Sequence, residues 1–365
     1  MKKHVQHYYK YNQLISTLRQ QIFSGKFSCG SKLPPERELS EIFGVSRITI
    51  RTALTELKND GLIEQRPGVG TYVKGRETGE VHGRENFRFC VFCNASPMGV
   101  EPESDPYNSQ LLLGIHKYRS AENNFMLDLR VCSTETPLTS FLNEKDGESL
   151  SWDGVIIACP HTEKDIEHLL KTGVPFVVIG ESGSMRFFPI VTTDNFQGSY
   201  MLTSHLLKHG VRKPLFLFGS QEHLWEQRQR AGFRQALEDA GLSCSNENFY
   251  GEGYPDLESA QMMVQELLAK RMQTFDALLL PQDVEVIGVM NALKAAKLRV
   301  PEDVVVAVCD NYQWLVNMYP GLPALLQPFA QLGEAAVELL FAKIRQPGMT
   351  VMKAIPPQLL PGILN

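Results

Sequence analysis

Along residues 8–27 the apolar positions Tyr11, Leu14, Ile15, Leu18 and Ile22 recur at steps of three and four, which predicts a helix with one buried stripe, ended at Gly25. A second helix is predicted at PPERELSEIFG. Proline suits its first turn, Glu36 and Glu38 sit at its positive end, and Leu39, Ile42 and Phe43 supply its buried face. Gly44 breaks it, Val45 plugs the turn, and Ser46 is placed to cap a third helix that runs to about Asn59. In that helix Ile50, Ala53, Leu54 and Leu57 form the inward stripe, while Arg47 and Arg51, four apart, project together elsewhere. After Gly61, LIEQRPGVGTYV reads as two short strands around a turn at Pro67, Gly68 and Gly70.

The pattern then changes. KGRETGEVHGREN, residues 74–86, is polar, holds three glycines and has no apolar period, as a linker does. Beyond it the apolar runs FRFCVF, NFMLDLRV, WDGVIIAC, VPFVVIG, KPLFLF, FDALLL and DVVVAVC alternate with helical stretches at 108–122, 162–171, 196–209, 226–240, 257–271, 284–297 and 329–345. Near-continuous apolar strands separated by helices predict parallel sheets covered on both faces, and this length predicts two α/β lobes with a ligand at strand ends between them. The expected fold class is α/β: a winged helix-turn-helix followed by a two-lobed body with parallel sheets. Its expected divisions are a head at 1–75, a linker at 76–87 and a body at 88–365. The apolar faces of helices 108–122 (Leu111, Leu112, Ile115) and 329–345 suit either dimer contacts or the covering of a sheet.

Charge sharpens the picture. Residues 1–80 hold thirteen Lys/Arg against eight Asp/Glu, a balance of +5, whereas the rest of the chain holds 23 against 33, a balance of −10. A basic head on an acidic body suits a polyanion reached through the head. Two neighbouring cations on one short helix repel each other, so Arg47 and Arg51 call for phosphates or guanine edges. Helix, tight turn and helix with a following hairpin is the winged helix-turn-helix arrangement, in which the leading turns of the second helix enter the major groove. Ser46, Arg47, Thr49 and Arg51 lie in those turns, and Arg66 beside Gly68 could reach a phosphate or the minor groove.

Other chemistry is not expected. Seven scattered cysteines suit reduced thiols, and Cys90 and Cys93, three apart on a strand, face opposite sides and make a poor metal pair. His205 and His209 share a helix face without an intervening HExxH glutamate, and there is neither a Walker A nor a dinucleotide-binding glycine motif. The expectation is no enzyme, no cofactor, no metal, no membrane segment and a cytoplasmic address.

KLPPERELSEIFGVSRITIRTALTELKNDGLIEQRPGVGTYV resembles the DNA-binding head of the GntR family of bacterial transcription regulators. The resemblance implies DNA contacts from Arg37, Ser46, Arg47 and Arg51, with the hairpin from Arg66 to Gly70 by the minor groove. VTTDNFQGSYMLTSHLLKHGVRKPLFLFG, RQRAGFRQALEDAG, PEDVVVAVCDN and PALLQPFAQLGEAAVELL are similar to the effector-binding body of the LacI family. This pairing of head and body implies a homodimeric, sugar-responsive regulator on a palindromic operator, most commonly a repressor. An activator, or a carbohydrate-binding protein without a DNA role, is the alternative. In the body the resemblance points to Asp310 as an effector contact or a turn cap, and to Gln282 and Asp283 where the family has Asn-Asp. Gln229 stands where the family has an arginine, and its neighbours Arg228 and Arg230 are candidate substitutes. Trp225 and Trp314 are either sugar-stacking rings or packing anchors.

Overall fold

Apolar strands with both faces buried form the frame of the chain in a computed structural model, which describes Leu18, Phe27 and residues 30–59, 62–66, 68–74, 87–95, 106–119, 124–133, 136–142, 152–181, 188–217, 223–251, 257–271, 275–310 and 313–364. The expected first helix, apart from Leu18 and Phe27, lies outside the described residues, as do Gly25, Pro67 and nearly all of the expected linker.

The head holds α1 (Glu36–Phe43), α2 (Arg47–Asn59), β1 (Ile63–Arg66) and β2 (Gly70–Val73). Helix α1 ends because Gly44 adopts a left-handed conformation (φ 60°) and its N–H returns to the Ser40 carbonyl. The Ser46 hydroxyl accepts from the Thr49 N–H at 3.2 Å and so caps α2. Strands β1 and β2 pair antiparallel, with Ile63 opposite Val73 and Arg66 opposite Gly70. Residues 30–33 lie along β2 through Leu33 N–H to Thr71 O (2.8 Å) and Val73 N–H to Ser31 O (3.0 Å), an isolated antiparallel bridge centred on Lys32 and Tyr72 that the sequence pattern does not show. Leu18, Leu33, Leu39, Ile50, Ala53, Leu54, Leu57, Leu62, Ile63 and Val73 form one core. Ile42, expected inside, is exposed: α1 is short, and its inward stripe consists of Leu39 and Phe43, one turn apart.

The described chain divides into two compact units: Met1–Val191 with Gly333–Lys353, and Thr192–Leu332 with Ala354–Asn365. The chain therefore passes between units three times, which the alternation of strands and helices does not reveal.

The first unit's body contains β3 (Phe87–Asn94), α3 (Pro106–Lys117), β4 (Phe125–Cys132), α4 (Leu138–Leu142), β5 (Gly154–Ala158), α5 (Glu163–Thr172), β6 (Phe176–Ile179) and the start of β7 (Ile190–Thr193). The second holds α6 (Asn195–Lys208), β8 (Pro214–Leu217), α7 (Leu224–Asp239), β9 (Phe249–Tyr250), α8 (Leu257–Arg271), β10 (Ala277–Leu280), α9 (Val286–Ala295), β11 (Val305–Val308), α10 (Gln313–Met318) and β12 (Ala324–Leu326). Then α11 (Phe329–Arg345), β13 (Met352–Ile355) and β14 (Gln358–Leu360) complete both. The two six-stranded sheets run β13-β7-β6-β5-β3-β4 and β14-β12-β11-β10-β8-β9. Their central strands pair parallel, as expected, whereas β14 runs antiparallel to β12.

Alternation along the strands sends neighbouring residues into different layers. In the second unit Leu215, Leu217, Leu278, Leu280, Val306 and Val308 pack under α8 and α9, while Phe216, Leu279 and Ala307 pack with Leu202, Leu206, Phe233 and Leu237 of α6 and α7. In the first unit Cys90 and Phe92 face one layer with Val155 and Ile157, and the Phe341 ring of α11 lies edge-on to Phe87 and Phe89 at 5.2 Å. Leu111 and Ile115 of α3 are fully buried within this unit, so they serve to cover the sheet.

Gly232 lets α7 approach α6 closely: a Cβ there would lie 2.2 Å from the Phe196 carbonyl oxygen. Alanine ordinarily improves an exposed helix by about 1 kcal/mol over glycine. Here a backbone clash opposes that gain, and Gly232→Ala is expected to lower stability by about 1–3 kcal/mol in chemical denaturation. An increase would contradict this packing.

Candidate nucleic-acid interface and ligand site

The buried stripe of α2 determines which residues face outward. Thr49, Ile50, Ala53, Leu54 and Leu57 are inside; Arg47, Ile48, Arg51, Thr52 and Thr55 are exposed. Thr49, grouped with the DNA-facing residues on sequence grounds, is only 5% exposed, and its hydroxyl shares a 2.8 Å hydrogen bond with the Ser46 hydroxyl. It helps to build the cap, while Ser46 remains at the surface.

Glu36 grips Arg51 by one edge. The Arg51 Nε donates to Glu36 Oε1 at 3.2 Å and Nη2 to Oε2 at 2.9 Å, a two-pronged pair on the exposed surface. The guanidinium has five N–H groups in a fixed fork, so Nη1 and the second Nη2 hydrogen remain for another acceptor pair. Guanine O6 and N7 are such a pair. Arg37 Nε likewise donates to Glu41 at 3.1 Å, and Arg66 pairs with Glu64 while lying 4.6 Å over the Tyr72 ring. Exposed ion pairs of this kind are worth only about 0–1 kcal/mol, so phosphates or bases can displace them. Arg47 makes no ion pair among the described residues. Gly68, exposed at the hairpin turn, has φ 70°, which glycine adopts without steric cost.

The second site lies in the second unit, where β8, β10 and β11 run side by side and end together. Gln282 and Asp283 follow β10, Asp310 follows β11, and α7 enters after β8. Carboxyl ends of parallel strands are the usual ligand end of such sheets. Asp283 is 2% exposed, and Asp310, half-buried, has a buried Oδ1. Glu226 on α7 (1% exposed) and Glu285 (3%) are also buried here, and the sequence reading names neither. Burial first, then the nearby Glu226 and Asp283 charges, push the Glu285 carboxyl well above the ordinary carboxylate range. The Cys309 thiol is pushed up to about 12 by burial, with Asp310 and Glu285 adding to the effect.

Gln229 is 2% exposed, and its Oε1 has no hydrogen-bond partner among the described residues; Glu285 Oε2 has none either. Arg230 is half-buried, 4.7 Å over the Phe249 ring; desolvation lowers its pKa, opposed by Glu226. Arg228 is exposed, so of the two candidate substitutes for the family arginine only Arg230 lies partly inside. The Trp225 ring stacks on His223 at 5.7 Å. The Trp314 side chain lies outside the described residues. No group of three or more His, Cys, Asp or Glu among the described residues could hold a metal ion, and no described helix is long and apolar enough to cross a membrane.

Residues 10–73 match the family model of bacterial regulatory proteins, gntR family, and residues 203–362 match that of the periplasmic binding protein-like domain. The HTH-type transcriptional repressor PurR of Photobacterium profundum is 25% identical over 264 residues, covering 69% of this chain and 76% of that protein. PurR of Pasteurella multocida is 26% identical over 254 residues, covering 68% and 74%. Among solved structures, a ribose-bound LacI family transcriptional regulator from Enterococcus faecium aligns with a TM-score of 0.60 at 23% identity, over 76% of this chain and 98% of that one. A complex of the transcriptional regulator CelR with cellobiose aligns at 0.65 and 21% identity, over 90% and 98%.

Two measurements test these geometries. Arg51→Lys keeps the charge and loses the fork, so in anisotropy titrations at fixed salt it is expected to weaken binding to a selected duplex by about 1–3 kcal/mol and leave binding to an unrelated duplex nearly unchanged. Equal losses on both duplexes would count against base reading. For Glu285, the raised pKa means that the folded protein binds its proton more tightly than the unfolded chain does. Its contribution is therefore complete below the unfolded carboxylate pKa and is lost as pH rises through the folded value. Glu285→Gln cannot ionise, so its melting temperature relative to the parent is expected to improve between pH 5 and pH 8; a constant difference would contradict the assignment.

Residues 10–73 are thus similar to the head of bacterial regulatory proteins of the gntR family and residues 203–362 to a periplasmic binding protein-like domain, in a chain that resembles the transcriptional repressor PurR and shares the fold of LacI-family regulators.

Proposed function

We propose that the protein is a homodimeric repressor whose heads, residues 1–75, read the half-sites of a palindromic operator, and whose body, residues 88–365, binds a small carbohydrate that releases the DNA. The linker of this division is residues 76–87. The observation that carries the DNA half of the reading is the outward face of α2, where Arg47 is exposed and Arg51 is held by Glu36 with its outer edge open. Arg37 and Arg66 are assigned to the phosphates at either side, Arg66 and Gly68 through the wing, and Ser46 to the leading turn. The repressor names of the relatives support the sign of the regulation.

For the effector half, carboxylates accept hydrogen bonds and donate none, which suits a ligand rich in hydroxyl donors. Asp310, Gln282 and Asp283 are assigned to those hydroxyls, Arg230 to an acceptor oxygen of the ligand, and Trp225 and Trp314 to a sugar face. Arg228, being exposed, is assigned at most to the rim. The bound ribose and cellobiose of the structural relatives support this choice of class. Ligand and operator are linked thermodynamically, so each must change the affinity of the other by the same factor.

The test is selection of genomic DNA fragments by the purified protein at fixed salt, repeated across a panel of pentoses, hexoses, disaccharides and sugar phosphates. The expected result is one palindromic sequence whose retention falls with one compound of the panel. Retention that rises with the compound would reverse the sign of the switch. Failure to enrich any sequence would remove the DNA role.

A further inference from the structure

Ile48 is 77% exposed, on the second residue of α2. It shares one helical face with Arg51, Thr52 and Thr55 at steps of three, four and seven, and Arg47 precedes it directly. The hydroxyls of this face are turned back onto the helix: Thr52 donates to the Ile48 carbonyl at 3.0 Å and Thr55 to the Arg51 carbonyl at 2.8 Å. Their donor protons are thus spent. Between the two guanidinium groups the leading turn therefore presents a branched hydrocarbon.

Other large apolar side chains of the head are exposed too, Ile42 on α1 and Val69 at the hairpin turn, but neither lies between the α2 arginines. A β-branched residue at that point gains nothing from water and offers the helix no propensity advantage. The charges on either side suit a polyanion and do not suit an apolar protein groove, which fixes the class of occupant as duplex DNA. In the major groove only one natural base edge is apolar: the C5-methyl group of thymine.

We infer that Ile48 is a specificity-determining residue that packs on the C5-methyl of a thymine neighbouring the guanine taken by Arg51. The inference rests on the DNA-binding reading above and names a base that the arginines do not specify. It also gives the half-site a mixed code, one guanine read by hydrogen bonds and one thymine read by apolar contact.

The test uses the full-length protein and the duplex recovered by selection, with each thymine replaced in turn by deoxyuridine, which pairs identically but lacks the methyl. Burial of one such carbon is worth about 0.8 kcal/mol, so a replacement in one half-site is expected to weaken binding about fourfold, and replacement in both about fifteenfold. Ile48→Ala should bind the unmodified duplex about as weakly and lose its sensitivity at that same position while keeping a preference for guanine. Wild-type affinity unaffected by deoxyuridine at every position overturns the inference and leaves the DNA role intact, as does Ile48→Ala that retains the deoxyuridine effect. Wild-type protein that binds no duplex sequence in preference to another overturns both readings. If Ile48→Ala folds poorly, Ile48→Val, which keeps a branched carbon, is expected to retain most of the deoxyuridine effect; loss of the effect with Val counts against direct packing on the methyl.

Discussion

The buried stripe of α2 is the constraint from which the outward surface assigned to DNA follows. Four apolar residues at helical spacing lock the helix against the head core, and the 3.6-residue period then leaves Arg47, Ile48, Arg51, Thr52 and Thr55 outside. The cap at Ser46 fixes where the helix starts, and hence which residues lead. Glu36 comes from a different helix, so the orientation of the Arg51 fork depends on how α1 packs on α2 as well as on α2 itself. Side-chain chemistry and core packing are in this sense one arrangement.

The body meets a different demand. Glu226, Asp283 and Glu285 are almost fully buried, and removing several carboxylates from water is costly unless protons, cations or hydrogen-bond donors compensate. The raised pKa of Glu285 favours its neutral form and so eases that cost, and the Arg230 charge opposes that of Glu226 on the same helix. A donor-rich ligand at these strand ends, as proposed above, would add hydrogen bonds to the same groups.

Much of this was legible in the sequence. Helical spacing places Ile50, Ala53, Leu54 and Leu57 inward and Arg47 and Arg51 outward, and continuous apolar runs locate β3, β4, β5, β6, β8, β10 and β11. Short and edge elements escape that logic. β7 ends in two threonines, β12 and β14 are only three residues long, and β13 is interrupted by Lys353, so none of them continues an apolar run. Thr49 illustrates a second limit: a hydroxyl in a leading turn can serve the cap of its own helix, and only the local hydrogen bond tells which. Glu226 and Glu285 illustrate a third. A glutamate in a helical stretch reads as a solvated charge, and its burial depends on which neighbouring strands end beside it. The threefold passage of the chain between units is likewise a tertiary property, carried by β7, α11 and β13, and no local pattern encodes it.

The central claim is that the outward face of α2 reads bases in the major groove. N7-methylation interference on the selected operator tests it most directly, because a methyl at guanine N7 blocks that edge without altering the backbone. The account predicts interference at one guanine in each half-site, absent when the protein carries Arg51→Ala. Interference at no guanine, or an unchanged pattern with Arg51→Ala, would contradict it.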